Sequence, residues 1–367
     1  MKYYLIAGEA SGDLHGSNLI RELHTLDDSA NFRCWGGDKM KAVGATLVKH
    51  YKELAFMGFT EVLKNLPQIL RNLKFCKSDI LAFNPDVIIF IDYPGFNLRM
   101  ARWASEQKIK SVFYISPQVW AWKENRVKIF KKYIEKMIVI LPFEKAFFQK
   151  WNYEVEYVGH PLVKVINDYR QKHYETTKDP NLIALLPGSR LQEIKIKLPI
   201  MLEATLNFPD HSFVIAKAPS VDQDFYQQFL KDHKNVSLST FDTYSLLMMA
   251  SAAIVTSGTA TLETALFGVP EIVCYKTNAI SYEIGKRLIK LKFISLVNLI
   301  MNKEVVRELI QNNLTPEKIT VELKKILFDN ELIARMQQDY HELRELLSQG
   351  GNASENAAKI IYEYGSI

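Results

Sequence analysis

The chain has 367 residues and a formal charge of +5, enough for two domains of about 100–200 residues each. Hydrophobic residues make up 48% and charged residues 24%, which excludes wholesale disorder. Cys34, Cys76 and Cys274 form no CxxC pair, so neither a disulfide scaffold nor a structural zinc site is expected, and no apolar run approaches the ~18 residues of a membrane span.

Tyr3–Ala7 reads as a buried strand running straight into a glycine turn, too short for a signal-peptide core. Leu14–Leu26 reads as a helix with Leu19, Ile20 and Leu23 inward. Val87–Ile91, Val112–Ile115 and Met137–Leu141 are further strands, apolar throughout and separated by helical stretches, the signature of a parallel sheet covered on both faces. The polar segment Asp168–Asn181 reads as a linker or the edge of one. The pattern then restarts with Leu182–Leu186, Phe213–Ile215, Val236–Leu238, Ala253–Thr256 and Ile272–Tyr275, and residues 316–364 are helical without a strand signal. The expectation is α/β: two Rossmann-like, doubly wound parallel-sheet domains, with ligands between the carboxyl ends of the sheets. The domains are expected at 1–165 and 166–340. A helical tail, 341–367, either packs back on the first domain or exchanges with another chain in a homodimer.

The motifs follow the strands. Gly8-Glu9-Ala10-Ser11-Gly12-Asp13 does not fit GxGxxG. By spacing it is equally a tight turn capped by Ser11 or Asp13 and a cleft carrying two acid–base carboxylates, Glu9 and Asp13. Asp92 directly follows VIIFI, either as a helix cap or as a general base. Trp120 and Trp122 read first as packing anchors. Gly188-Ser189-Arg190 offers N–H groups, a hydroxyl and a planar cation to a phosphate, unless Glu193 pairs with Arg190 instead. Ser257-Gly258-Thr259-Ala260-Thr261 makes a second anion-accepting helix start, and Glu263, one turn on, suits a ribose.

Nine blocks, GEASGD, FMGFTEVL, IDYPGFN, SPQVWAW, LPFEKAFF, VGHPL, LLPGSR, SGTATLE and FISLVNLI, occur in order from residue 8 to about 300. In this they resemble the lipid-A-disaccharide synthase family. The resemblance implies a GT-B glycosyltransferase working without a metal or other cofactor. It implies inverting transfer of 2,3-diacylglucosamine from UDP-2,3-diacylglucosamine to the 6-hydroxyl of 2,3-diacylglucosamine 1-phosphate, on the cytoplasmic surface of the inner membrane of Gram-negative bacteria. It implies Asp92 as base, with Glu9 and Asp13 on the acceptor side. Gly188, Ser189, Arg190 and the 257–261 loop would hold the diphosphate, Glu263 the ribose, and Asn298 the nucleotide or donor sugar. Gly95, Val297 and His15 depart from the family pattern. Another UDP-sugar GT-B enzyme, a hexosaminyltransferase or an epimerase, is the alternative.

Charge is uneven. Residues 1–165 hold 24 basic and 17 acidic side chains, and residues 108–150 alone hold 10 and 3. This basic block, including Lys123, Arg126, Lys128, Lys131, Lys132 and Lys136, is a solvated face, an attraction to anionic phospholipid, or a site for the acceptor phosphate. No recognition module suggests nucleic acid. Val62, Leu63, Leu66, Ile69, Leu70 and Leu73 recur at helical spacing, as a core stripe or as a landing surface for acyl chains and membrane.

Overall fold

Strands that are apolar on both faces must be covered on both, and the chain does this twice. The structure, a computed structural model, describes residues 1–54, 66–121, 124–219, 221–278, 282–283 and 291–366. It divides into one unit of Met1–Pro161 with Ser348–Ile367 and another of Leu162–Leu347.

The first unit holds β1 (Lys2–Ala7), α1 (Ala10–Leu26), β2 (Asn31–Gly36), α2 (Asp38–Ala42), β3 (Thr46–His50), α3 (Leu66–Phe83), β4 (Val87–Ile91), α4 (Pro94–Glu106) and β5 (Ser111–Tyr114). It continues through α5 (Val127–Tyr133), β6 (Lys136–Val139), α6 (Glu144–Gln149) and β7 (Glu156–Tyr157). Helix α7 (Pro161–Lys172) follows. The sheet order is β3-β2-β1-β4-β5-β6-β7, all parallel. Connections run one way from β1 and the other way from β4, so the topological switch lies between those two strands. In an open α/β sheet, ligands bind beyond the carboxyl ends at this point.

The second unit holds β8 (Leu182–Leu186), α8 (Leu191–Thr205), β9 (Ser212–Ile215), α9 (Gln223–Leu230), β10 (Val236–Leu238), α10 (Thr243–Met249), β11 (Ala252–Thr256), α11 (Thr259–Leu266) and β12 (Glu271–Tyr275). It continues through α12 (Leu296–Met301), β13 (Arg307–Ile310), α13 (Pro316–Phe328) and α14 (Asn330–Ser348). Its parallel order, β10-β9-β8-β11-β12-β13, puts the switch between β8 and β11. The last helix, α15 (Ala353–Ser366), packs on α1 in the first unit.

The expected strands are present to within a residue or two. Those without an apolar run in the sequence, β2, β3, β7 and β13, lie at or next to sheet edges, where one side is solvated and the run is broken by polar residues. Helix α1 starts four residues earlier than its apolar stripe, at Ala10. The polar segment Asp168–Asn181 begins inside α7, whose exposed face accounts for its polarity.

One core residue is out of character. Glu271 opens β12 with 0% exposure, and neither carboxylate oxygen has a hydrogen-bond partner among the described residues. Burial raises its pKa well above the usual carboxylate value. A raised acid pKa means that stability is lost as pH climbs above the unfolded value near 4.5. Glu271→Met should therefore stabilise the second unit by about 1–3 kcal/mol at pH 7.5. The gain should shrink toward pH 4.5. Urea melts at the two pH values measure it, and an unchanged or lower midpoint at pH 7.5 would contradict it.

Candidate active site

Strand β4 ends at Ile91, and the next two residues both adopt left-handed backbone, Asp92 at φ +45° and Tyr93 at φ +51°. Each such non-glycine residue costs of order 1 kcal/mol and persists only where the surroundings hold it. They are held. Asp92 N–H donates to the Tyr114 carbonyl of β5 at 3.3 Å. The fully buried Asn97 amide donates to the Asp92 carbonyl at 2.7 Å and lies 3.2 Å from the Ile6 carbonyl, tying the ends of β1 and β4 together. The Tyr93 ring lies against Gly8, where a Cβ would come within 2.3 Å of it, so this turn requires glycine.

This places Asp92 at the switch point beside the β1–α1 turn. Its carboxyl is pushed up to about 7, first by burial and then by the negative charge of Glu9. It does not cap α4, whose N-cap is Tyr93. Glu9 is the N-cap residue of α1, but its side chain makes no cap hydrogen bond. Asp13 is different. It lies in the first turn of α1, 3% exposed, and both oxygens are occupied. Gly37 N–H and Met40 N–H donate to Oδ1 at 2.8 and 3.0 Å, and Lys39 N–H donates to Oδ2 at 3.1 Å. Asp13 therefore fastens the start of α2 and is a positioning residue, a correction to its expected acid–base part. Ser11 lies inside α1 and is not its cap. Trp120 packs edge-on against Phe143 with ring centroids 4.9 Å apart, as an anchor; Trp122 lies outside the described residues.

In the second unit, the turns after β8 and β11 flank the switch point in the same way. Gly188 takes φ +129° and passes so close to Glu193 that a Cβ would fall 2.6 Å from its Oε2. Arg190, half exposed, pairs with Glu193 at 3.3 Å, and the buried Lys197 ammonium reaches the same carboxylate at 3.8 Å. Burial lowers the Lys197 pKa. Sequence reasoning missed this cation, because Lys197 sits on the apolar face of α8 and no local pattern marks it.

Gly258 and Thr259 are exposed at the start of α11, where first-turn N–H groups have no intrahelical acceptor. Ala260 is half-buried beside them. Ser257 Oγ donates to the Ile294 carbonyl at 3.0 Å, and the buried Thr261 hydroxyl donates to the Gly258 carbonyl at 2.9 Å. Both hydroxyls shape the turn. Glu263 accepts the Tyr244 hydroxyl at 2.9 Å, and burial raises its pKa.

Asn298 corrects another expectation. It is fully buried, its Oδ1 accepts Val305 and Val306 N–H at 2.8 and 3.0 Å, and its Nδ2 donates to the Val306 carbonyl and Glu308. With donors and acceptor occupied, it clips the turn before β13 and presents no group to a ligand. Among the acyl-contact residues, Leu66 and Leu70 are exposed, Ile69 is half-buried against the core, and Leu73 is a core residue at 8% exposure. Leu73 lies on the α3 face turned to the sheet, so it is not an acyl contact. Val62, Leu63 and the block at 56–63 lie outside the described residues.

A sequence profile described as lipid-A-disaccharide synthetase matches residues 3–361. Proteins named lipid-A-disaccharide synthase are similar along nearly the whole chain. That of Syntrophus aciditrophicus is 39% identical over 96% of this chain and 95% of its own length. That of Geobacter sulfurreducens is 35% identical over 98% and 96%, and one from Coxiella burnetii is 36% identical over 98% and 97%. The chain belongs to the lipid-A-disaccharide synthase family. It is a glycosyltransferase.

Solved structures agree on the fold, which is GT-B. UDP-GlcNAc 2-epimerase from Neisseria meningitidis, bound to UDP-GlcNAc, superposes with a TM-score of 0.66 at 14% identity, covering 99% of each chain. CalG4, the calicheamicin glycosyltransferase, gives 0.60 at 15% identity, covering 99% of this chain and 97% of its own. Among the described residues, no helix is long and apolar enough to cross a membrane.

Proposed function

We propose that this synthase family member transfers 2,3-diacylglucosamine from UDP-2,3-diacylglucosamine to the 6-hydroxyl of 2,3-diacylglucosamine 1-phosphate with inversion. The observation that carries the reading is Asp92, a carboxyl poised near 7 at the switch point of the first sheet. A base works best when its pKa lies near the working pH. Asp92 accepts the proton of the acceptor hydroxyl as that oxygen bonds to the anomeric carbon. The bond from that carbon to the diphosphate oxygen breaks on the opposite face, and UDP leaves with its electron pair. The new linkage is β-1′,6.

The negative charge that develops on the diphosphate is met in the second unit by the turn N–H groups of Gly188–Arg190 and Gly258–Ala260 and by the Arg190 guanidinium. Glu263, steadied by Tyr244, accepts the ribose hydroxyls. Glu193 orients Arg190 and shares its charge with Lys197. These donors supply the stabilisation for which other transferases use a metal. Leu66 and Leu70, exposed at the start of α3, support an apolar surface for the acyl chains at a phospholipid membrane, peripherally on its cytoplasmic face.

Purified protein, with chelator present, should convert the two substrates to tetraacyl disaccharide 1-phosphate and UDP. A folded, detergent-dispersed sample that forms no product, or the α-anomer, would refute the reading. The donor half has a separate check. Removing a charge-assisted hydrogen bond costs about 1.5–3 kcal/mol, so Arg190→Ala should weaken UDP binding roughly 10–100-fold in titration calorimetry. An unchanged dissociation constant would remove Arg190 from the site.

A further inference from the structure

The basic block of residues 108–150 is not used by the chemistry above. Its three acids offset it only in part: Glu144 is buried, accepting Ile140 and Leu141 N–H, Glu124 lies on another turn, and Glu135, on the wall of the cavity described next, accepts the Tyr364 hydroxyl at 2.8 Å. Four of its lysines line one cavity of about 470 Å³ in the first unit: Lys108 and Lys110 from the α4–β5 connection, and Lys131 and Lys132 from the end of α5. None of the four has a carboxylate within ion-pair distance among the described residues. Tyr364 of α15 closes one side. Lys110 Nζ donates to the Gly365 carbonyl at 3.4 Å and lies over the Tyr364 ring.

Cations in the last turn of a helix complement its dipole, which is reason enough for Lys131 and Lys132. That does not account for Lys108 and Lys110, which come from a different connection. Lys108 is also in left-handed backbone, φ +57°, at a helix end where glycine is preferred. A lysine kept there at a conformational cost shares the cavity wall with three other lysines and a single carboxylate, Glu135, so the lining keeps a surplus of positive charge.

The position excludes the catalytic edge. Lys110 and Glu135 immediately precede β5 and β6, so the cavity is at the amino edge of the sheet, whereas Asp92 follows β4 at the carboxyl edge. Helix α3 ends beside the start of β1, where Lys2 Nζ donates to the Phe83 carbonyl at 3.2 Å. Its exposed Leu66 and Leu70 therefore lie about 20–27 Å away along its axis, toward the carboxyl edge. A bilayer met by those leucines is remote from the four lysines. Ammonium groups suit phosphate oxygens, Ser105 and Tyr133 add hydroxyls to the lining, and the volume fits a ligand larger than a bare ion.

We propose that this cavity is a second anion site, binding a small soluble phosphate ester at the amino edge of the first sheet and fastening α15 to it. The test is calorimetric titration of the full chain with inorganic pyrophosphate, in saturating UDP to fill the donor site. One pyrophosphate should bind per chain, more weakly as salt rises. Lys131→Gln/Lys132→Gln and, separately, Lys108→Gly should each weaken it at least tenfold. Lys108→Gly relaxes the left-handed backbone, so its folding is not at risk. Arg190→Ala should leave this isotherm unchanged, which separates the result from the donor assignment. Absence of saturable binding, or wild-type affinity in either lysine variant, would overturn the proposal. So would variants that lose phosphatidylglycerol-vesicle binding while keeping pyrophosphate affinity, since the lysines would then serve a lipid surface.

Discussion

Asp92→Asn is expected to melt at a higher temperature than the wild type while losing about 10²–10⁴-fold in turnover. The two effects have one origin. Burial and Glu9 hold the Asp92 carboxyl at about 7, against an unfolded value near 3.8. An acid with a raised folded pKa favours folding below its unfolded value and loses that contribution as pH rises through the folded one. At pH 8 the native state therefore carries an ionised, poorly solvated carboxylate. The gap between the folded and unfolded values sets a ceiling of about 4 kcal/mol, and partial solvation brings the expected gain to about 1–3 kcal/mol. Asparagine is also at ease in the left-handed backbone that residue 92 adopts, so the Asn97 and Tyr114 hydrogen bonds survive.

Differential scanning calorimetry at pH 8 and at pH 4 checks this. The increment should be a few degrees at pH 8 and nearly absent at pH 4. A destabilised Asp92→Asn, or one with near wild-type turnover, would place the base elsewhere. Glu9→Gln tests the second cause. It removes a negative charge, so the acid limb of kcat/KM should move to lower pH while the alkaline side is unchanged.

The second large effect concerns acid. His15 on α1 and His160 in the VGHPL turn are 6% and 4% exposed, both in the first unit. Burial pushes His15 down to about 4, with its Nδ1 unpartnered among the described residues. Burial, and then the neighbouring His15, pushes His160 down to about 3. A base with a lowered folded pKa contributes fully above its unfolded value near 6.5 and loses that contribution as pH falls below it. At pH 5 the loss comes to about 2 kcal/mol per histidine and about 4 kcal/mol for the pair. That is a large part of a typical domain's stability.

Asp92, and Glu144 which burial holds at about 7, gain stability over the same window, so the wild-type curve alone is ambiguous. The difference between proteins is not. His15→Leu fills the same apolar space without a titrating ring. Its urea midpoint, relative to wild type, should rise steadily from pH 6.5 to pH 4.5. A difference that stays constant across that range would show that the pair does not control acid stability.

Much of the fold is legible along the chain because central strands and the residues that follow them are coded locally. VIIFI, LIALL and AAIVT are apolar on both faces, and the turns after them carry Asp92, Gly188–Arg190 and Gly258–Thr259. Edge strands such as RELI carry half that signal. The site is legible as positions more than as partners. Asp13, Thr261 and Asn298 have the polarity of ligand groups, yet their atoms are occupied by their own unit. Nothing in the local sequence distinguishes a carboxylate bound to Gly37 and Met40 from one offered to substrate.

Two parallel α/β units, the family, and the lodging of +7 in residues 108–150 can all be read from the order of residues. Periodicity, turn chemistry and charge belong to neighbouring residues, so they are present in the unfolded chain as well. Three things exist only in the folded one: the burial of Asp92 next to Glu9, the inward turn of Leu73 while Leu70 stays exposed, and the meeting of four lysines from two connections around one cavity. Each depends on desolvation and on distances between residues far apart in the chain, which are set once the sheet has brought its strands into order.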